Sequence, residues 1–150
     1  MLAQEFDQPT VDFLILADRA EAVNGKLYMM GGGWDRISVA DFSQPQTLSL
    51  AMGILVPWNA TNVNHNLAIR IETQDANELA AIALSFNAGR PPNMRPAESQ
   101  RLVLAFHLAL TLPAPGTYVV RALIGDRECQ RVVFYALMLP AIPTAVVPPA

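Results

Sequence analysis

The sequence predicts an all-β fold, an antiparallel two-sheet sandwich of about eight strands. Apolar residues make up 52% of the chain and charged residues only 15%. The apolar residues occur in short runs, several of which alternate with period two, and clusters of Pro, Gly, Asn and Asp separate the runs. The connections leave no room for crossover helices, so consecutive strands should pair antiparallel. Both an immunoglobulin-like and a jelly-roll-like arrangement satisfy this pattern.

Clusters of turn-forming residues divide the chain into predicted strands. Asn24-Gly25 is the clearest turn signal, because both central residues of a type I′ hairpin turn need positive φ. An alternative interpretation makes residues 11–23 a helix that is capped by Thr10 and closed by the same turn. The second and third strands are alternatively one strand, interrupted by glycines. The predicted strands are residues 11–23, 26–31, 34–39, 47–56, 65–73, 79–87, 101–112, 116–124 and 128–137.

Two of these strands are apolar or small on both faces, which exceeds what a sandwich with two solvated outer faces needs. They are residues 48–56 and residues 102–112. In the second, leucines and Phe106 occupy alternate positions, and small residues with His107 lie between them. The pattern indicates a partner surface, or alternatively alanines that tolerate exposure.

The composition predicts one domain over residues 1–139, followed by a flexible Pro-rich tail over residues 140–150. Cys129 is the single cysteine, so no intrachain disulfide forms, which suits the cytoplasm. The N-terminal residues carry acids where a signal peptide carries Lys or Arg, so export by that route is not expected. No apolar run has the length of a membrane-spanning helix, and no membrane span is predicted.

Charge and motif patterns disfavour nucleic-acid binding and catalysis. The net charge is −3, with ten basic and thirteen acidic residues spread along the chain, so no basic stripe can track a phosphate backbone. His65 and His107 lack a Cys or a carboxylate two residues on, so no metal site is predicted. Gly31-Gly32-Gly33 precedes a strand rather than a helix, which disfavours a phosphate loop. We therefore expect no catalytic residue and no cofactor, unless the fold brings Asp35, His65 and Glu72 together.

Seven residues are candidates for binding. Trp58 and Asn59 lie in a polar loop, where an indole is either a binding anchor or a lid over the core. Arg90 and Arg95 lie in a proline-rich loop, where they present planar donors or are simply solvated. A third group follows the three glycines and consists of Trp34, Asp35 and Arg36.

Several signatures together resemble a bacterial family of uncharacterised domains. They are Ala17–Tyr28, the GGGWDRI segment from Gly31, Val56-Pro57-Trp58-Asn59, Gly89-Arg90-Pro91-Pro92 and Pro115-Gly116-Thr117-Tyr118, and they span about residues 12–137. Because that family is a domain of unknown function, the resemblance implies a compact β domain and transfers no catalytic residue.

Two functional hypotheses remain. The first is a non-catalytic binding or assembly module that pairs with itself or with a protein partner through a sheet face or the loops that hold Trp58 and Arg90. The alternative is a sandwich that binds a small ligand or a carbohydrate, with Trp34 and Trp58 as stacking platforms.

Overall fold

Residues 7–140 fold into two packed sheets built from nine strands. The structure, a computed structural model, describes residues 7–140; the predicted tail from residue 141 onward lies outside the described residues. A 3₁₀ turn covers Trp58–Ala60. The strands are β1 (Thr10–Val23), β2 (Lys26–Gly32), β3 (Arg36–Val39), β4 (Gln46–Pro57), β5 (Asn64–Thr73), β6 (Glu78–Asn87), β7 (Ser99–Leu110), β8 (Gly116–Ile124) and β9 (Arg127–Met138). Between residues 7 and 140, no helix is long and apolar enough to cross a membrane.

The prediction of an all-β, two-sheet sandwich is confirmed. Sheet A has the strand order β2-β1-β4-β7, and sheet B has the order β3-β9-β8-β5-β6. The prediction of purely antiparallel pairing is wrong at one place, because β3 pairs with β9 in parallel. β2 and β3 are separate strands: Gly31 and Gly33 have positive φ values of 60° and 88°, and the chain turns there from sheet A to sheet B.

The strand order is that of an immunoglobulin-like sandwich. β1, β4 and β7 follow the A-B-E order, while β6, β5, β8 and β9 follow the order of strands C′, C, F and G. The Tyr118 hydroxyl donates a hydrogen bond to the Ala114 carbonyl, which makes the tyrosine corner seen at this position in such domains. Strand D of immunoglobulin domains would lie beside β7. Within the described chain, residues 88–98 form a loop instead, and nothing pairs with that side of β7.

The alternative of a helix over residues 11–23 is wrong. Asn24 and Gly25 have φ values of 51° and 74°, as a type I′ turn requires, and β1 and β2 form a regular hairpin around them. Ala17 and Ala20, which favour a helix locally, are both buried in the sandwich. Tertiary packing therefore outweighs helix propensity in this segment.

The β1–β2 hairpin folds over the outer face of sheet A. Ala17, Ala20 and Ala51 form a second buried cluster, against which Leu27 of β2 and Ala105 of β7 pack. Because β1 and β4 separate β2 from β7 in the sheet, the contacts between β2 and β7 show that the hairpin curls back over this face. The second apolar face of β4 is thus covered from within the chain.

Candidate interaction site

Trp58 and Arg90 form one cluster at an end of the sandwich. The Arg90 guanidinium lies over the Trp58 ring at 3.4 Å from its centroid. Its Nε donates to Thr61 Oγ1 at 3.1 Å, and its Nη2 donates to the Trp58 carbonyl at 2.9 Å. The stacking and the two hydrogen bonds hold the guanidinium in one orientation, which is a use of Arg that Lys cannot reproduce.

Neighbouring contacts fix the two loops that form this cluster. Asn62 N donates to the Ala88 carbonyl at 2.7 Å, which ties the segment after Trp58 to the segment before Arg90. His65 Nε2 lies 2.8 Å from the Ala60 carbonyl. Asn59, another predicted binding residue, donates to Asp7 at 2.9 Å. Trp58 is half-buried, and these contacts join the two loops. We call the cluster of Trp58, Thr61 and Arg90 the clasp.

The other predicted binding residues lie elsewhere. Arg95 pairs with Glu98 at 3.7 Å on the exposed loop before β7. Trp34 packs edge-on against Phe134, with ring centroids 6.2 Å apart, and its indole N–H is buried without a hydrogen-bond partner. Arg36 lies over the Tyr135 ring and 3.7 Å from Asp35. This group borders β3, at the opposite edge of sheet B from β6, so the seven residues do not form one site.

The polar groups offer little for catalysis. Ser49 Oγ and His107 Nδ1 are hydrogen-bonded at 2.6 Å, but Ser49 is 0% exposed, so no substrate reaches the hydroxyl. Asp35, His65 and Glu72 do not come together: their partners are Arg36, Ala60 and Arg121. In the part of the chain that the structure describes, no three His, Cys, Asp or Glu side chains are placed to hold a metal ion.

The sequence did not indicate that β7 is a bare edge strand. Its pairing with β4 runs from Ser99 to Leu110 with no register shift, and its other side has no strand beside it in the described residues. Its core-facing side chains remain partly exposed, unlike those of β4. They are Leu102, Leu104, Phe106 and Leu108.

β6, the edge strand of sheet B, lies on the same side of the sandwich as β7. β1 packs over β9 and β8, which places β4 and β7 over β5 and β6. The inward side chains of β6 are also only partly buried, among them Leu79, Ile82 and Phe86. We call this surface, formed by β6 and β7, the open side of the sandwich. Sequence reasoning missed it because pairing between distant strands decides which strands become edges.

A row of arginines crosses the outer face of sheet B. Arg70, Arg121 and Arg131 lie directly opposite one another on β5, β8 and β9. Glu128 Oε1 lies 2.9 Å from Arg121 Nε and 3.0 Å from Arg131 Nη2, the first contact being an ion pair without the alignment of a hydrogen bond. Glu72 lies 3.4 Å from Arg121. The carboxylates offset most of the positive charge of the row.

The comparison with protein families matches residues 12–137 to a family of unknown function, DUF6941. The chain belongs to this family. The match runs from β1 into β9 and includes the clasp and the open side, and the description of DUF6941 assigns no activity. The comparison with curated proteins finds no match.

Among solved structures, the chain is similar to the alkylpurine DNA glycosylase AlkC of Pseudomonas fluorescens bound to DNA that contains an abasic site analog. The TM-score is 0.41 at 16% identity, and the match covers 69% of this chain and 28% of that chain. The chain of the DUF6941 family therefore spans less than a third of that protein.

Proposed function

We propose that this protein is a non-catalytic assembly module that binds a second copy of itself or another protein through the open side of the sandwich. The observation that carries the proposal is β7, an edge strand that pairs with β4 without a register shift, has partly exposed leucines, and has no strand on its other side among residues 7–140. Exposed edge strands are templates for strand addition, in which main-chain hydrogen bonds supply affinity and side chains supply specificity.

The burial of β4 indicates why we propose β7, and not β4, as the binding strand. β4 and β7 are both apolar on two faces in the sequence, but the hairpin and the second sheet bury β4 almost completely. β7 keeps side chains partly exposed on both faces from Leu102 to Phe106. β7 therefore combines partly exposed apolar side chains with a backbone edge that is unpaired within residues 7–140, and an added protein strand satisfies both.

Carbohydrate binding through the two tryptophans has less support. A stacking platform needs an open indole face. Arg90 covers one face of Trp58, and Trp34 packs edge-on against Phe134. The tryptophans are also in separate parts of the molecule, so they do not form a joint platform.

We propose a protein partner rather than a nucleic acid, in a cytoplasmic setting. The arginine row on sheet B is largely neutralised by Glu72 and Glu128, and the net charge is −3, so the attraction for a phosphate backbone is weak. The cytoplasm accords with Cys129 as the single cysteine of the chain.

The experiment places a photoreactive amino acid at His107, whose side chain is exposed on β7. Cells that express this variant are irradiated, and adducts are separated by mass. The control carries the same photoreactive residue at Asp75, an exposed turn residue between β5 and β6. We expect discrete adducts from position 107 and none from position 75.

An adduct of twice the chain mass indicates self-association, and a discrete adduct of another mass indicates a different protein partner. Both support an assembly role for the open side. If position 107 gives no more adduct than position 75, the proposal fails.

A further inference from the structure

We infer that the partner of the open side is a second copy of this chain, with the two β7 strands pairing antiparallel about a two-fold axis. The inference rests on the proposed function and names its partner. The second copy fills the position that strand D occupies in immunoglobulin domains, and the two four-stranded sheets become one continuous sheet.

The backbone of β7 is well suited to such pairing. Proteins commonly protect edge strands with bulges, prolines, short length or charged side chains. β7 pairs with β4 over its full twelve residues without a bulge, and it contains no proline. The β1–β4 and β5–β6 pairings, by contrast, each contain a register shift.

The charge distribution on β7 permits self-pairing. From Leu102 to Leu110 the strand contains no Lys, Arg, Asp or Glu, so two copies bring no like charges together over this stretch. The one charged residue of β7, Arg101, is held by Asp12 of β1, with Nε 2.9 Å from Oδ2. β6 is a less suitable edge, because a register shift between Ile71 and Glu72 interrupts its pairing with β5.

Two-fold symmetry makes the side chains of β7 complementary to themselves. Residues directly opposite each other in a sheet point to the same face. With the axis perpendicular to the sheet, the leucines and Phe106 of one copy therefore continue the row of the other on the core side. Val103, Ala105 and Ala109 meet their counterparts on the outer side, where their small size allows close approach.

This pairing also closes on itself. Each copy offers the same edge to the other, so the contact is isologous and uses both β7 edges at once. A closed dimer then leaves no β7 edge for further addition. Edge strands that lack protective features can add further chains without limit. Pairing with one second copy uses the β7 edge and prevents such aggregation.

The first test compares the full chain with two matched variants by sedimentation and light scattering over a wide concentration range. Ala109→Lys adds a charge to an exposed position of β7, and Ala83→Lys adds the same charge to an exposed position of β6. We expect the wild-type chain and Ala83→Lys to have twice the 16.3 kDa chain mass, and Ala109→Lys to dissociate at least about tenfold more easily. Circular dichroism checks that each variant is folded.

The second test reads the contact directly by cysteine cross-linking in a Cys129→Ser background. Single cysteines are placed at each position of β7 from 103 to 109, so that both faces are sampled, and at position 83 of β6 as a control. Residues on a two-fold axis between antiparallel strands lie within disulfide distance of their own copies. We expect rapid cross-linking at one β7 position and none at position 83.

A wild-type chain that stays monomeric at high concentration overturns the inference. A dimer that Ala83→Lys weakens as much as Ala109→Lys does also overturns it. The same holds for a dimer in which none of the β7 cysteines forms a cross-link. If the chain is monomeric but position 107 captures a different protein in cells, this inference fails while the proposed function stands. If position 107 captures nothing, both fail.

Discussion

At the scale of single residues, the contact between Arg90 and Trp58 combines ring stacking with two hydrogen bonds. Because the guanidinium both stacks on the indole and donates two hydrogen bonds, we expect Arg90→Lys to lose nearly as much stability as Arg90→Ala. A double-mutant cycle with Trp58→Ala should give a coupling energy of about 0.5–1 kcal/mol. Urea unfolding measures it, and a coupling within error of zero contradicts the clasp.

Fluorescence offers an independent measurement of the same contact. In a Trp34→Phe background, Trp58 is the only tryptophan, so its emission reports on this loop. Removal of the Arg90 side chain exposes more of the indole to water, and we expect a red shift in emission. Arg95→Ala, in the same loop but paired only with Glu98, is the matched control and should leave the spectrum unchanged.

Trp34 makes a different residue-scale prediction. Its indole N–H is buried without a partner, a group that costs about 1–3 kcal/mol to desolvate, while its ring packs on Phe134. Trp34→Phe removes the unpaired donor and keeps an aromatic ring, so we expect unfolding free energy within about 1 kcal/mol of the wild type. Trp34→Ala removes the packing as well and should cost about 3 kcal/mol. Equal losses in both variants would show that the N–H is paired after all.

At the scale of elements, the sequence locates the strands of residues 7–140 to within about two residues at each end, but it leaves open whether β2 and β3 are one strand. Alternation and turn residues depend on near neighbours, which is why Leu102–Leu110 and the Asn24-Gly25 turn were predictable. The parallel β3–β9 pair and the meeting of Trp58 with Arg90 were not, because they join segments far apart in the chain. Which strands become edges belongs to the same class of nonlocal information.

The β1–β2 hairpin has a role that the sequence did not indicate, because it covers the outer face of sheet A. Leu27 faces the second buried cluster, while the adjacent Tyr28 is exposed on the opposite face. We expect Leu27→Ser to cost about 1–2 kcal/mol of unfolding free energy and to speed amide exchange along β2, because the hairpin loses its apolar anchor. Tyr28→Ser should change stability by less than about 0.5 kcal/mol. Equal exchange rates in the two variants would mean that the hairpin is held by its hydrogen bonds to β1 alone.

The arginine row on the outer face of sheet B allows an electrostatic prediction. Glu128 contacts both Arg121 and Arg131, so Glu128→Gln leaves three arginines opposite one another on adjacent strands. We expect a loss of about 1 kcal/mol at low salt that shrinks as salt screens the repulsion. Glu98→Gln removes a more exposed pair with Arg95 and should have no measurable effect. Salt titrations of thermal unfolding distinguish the two, and a Glu128→Gln loss that is independent of salt would contradict the repulsion argument.

At the scale of the whole molecule, the sandwich is closed along one side, where β1 packs against β9 and β3 extends sheet B, and is open along the other at β6 and β7. The difference arises from the chain's path. After β2 the chain crosses to β3 and reinforces the edge of sheet B, whereas the long loop after β6 adds no strand to sheet A. The partly exposed leucines of β7 follow from that missing strand, and this asymmetry directs the assembly proposal to one side of the molecule.

Self-association through this side has a thermodynamic consequence that needs no knowledge of the interface. A dimer that unfolds to separate chains becomes more stable as concentration rises, because mass action favours the associated native state. A hundredfold rise in concentration should therefore raise the Tm by about 3–6 °C for a chain of this length. Ala109→Lys should have a Tm that changes less with concentration, while Ala83→Lys should follow the wild type. A Tm that is independent of concentration for all three proteins would mean that the native chain is monomeric, which contradicts self-association through the open side.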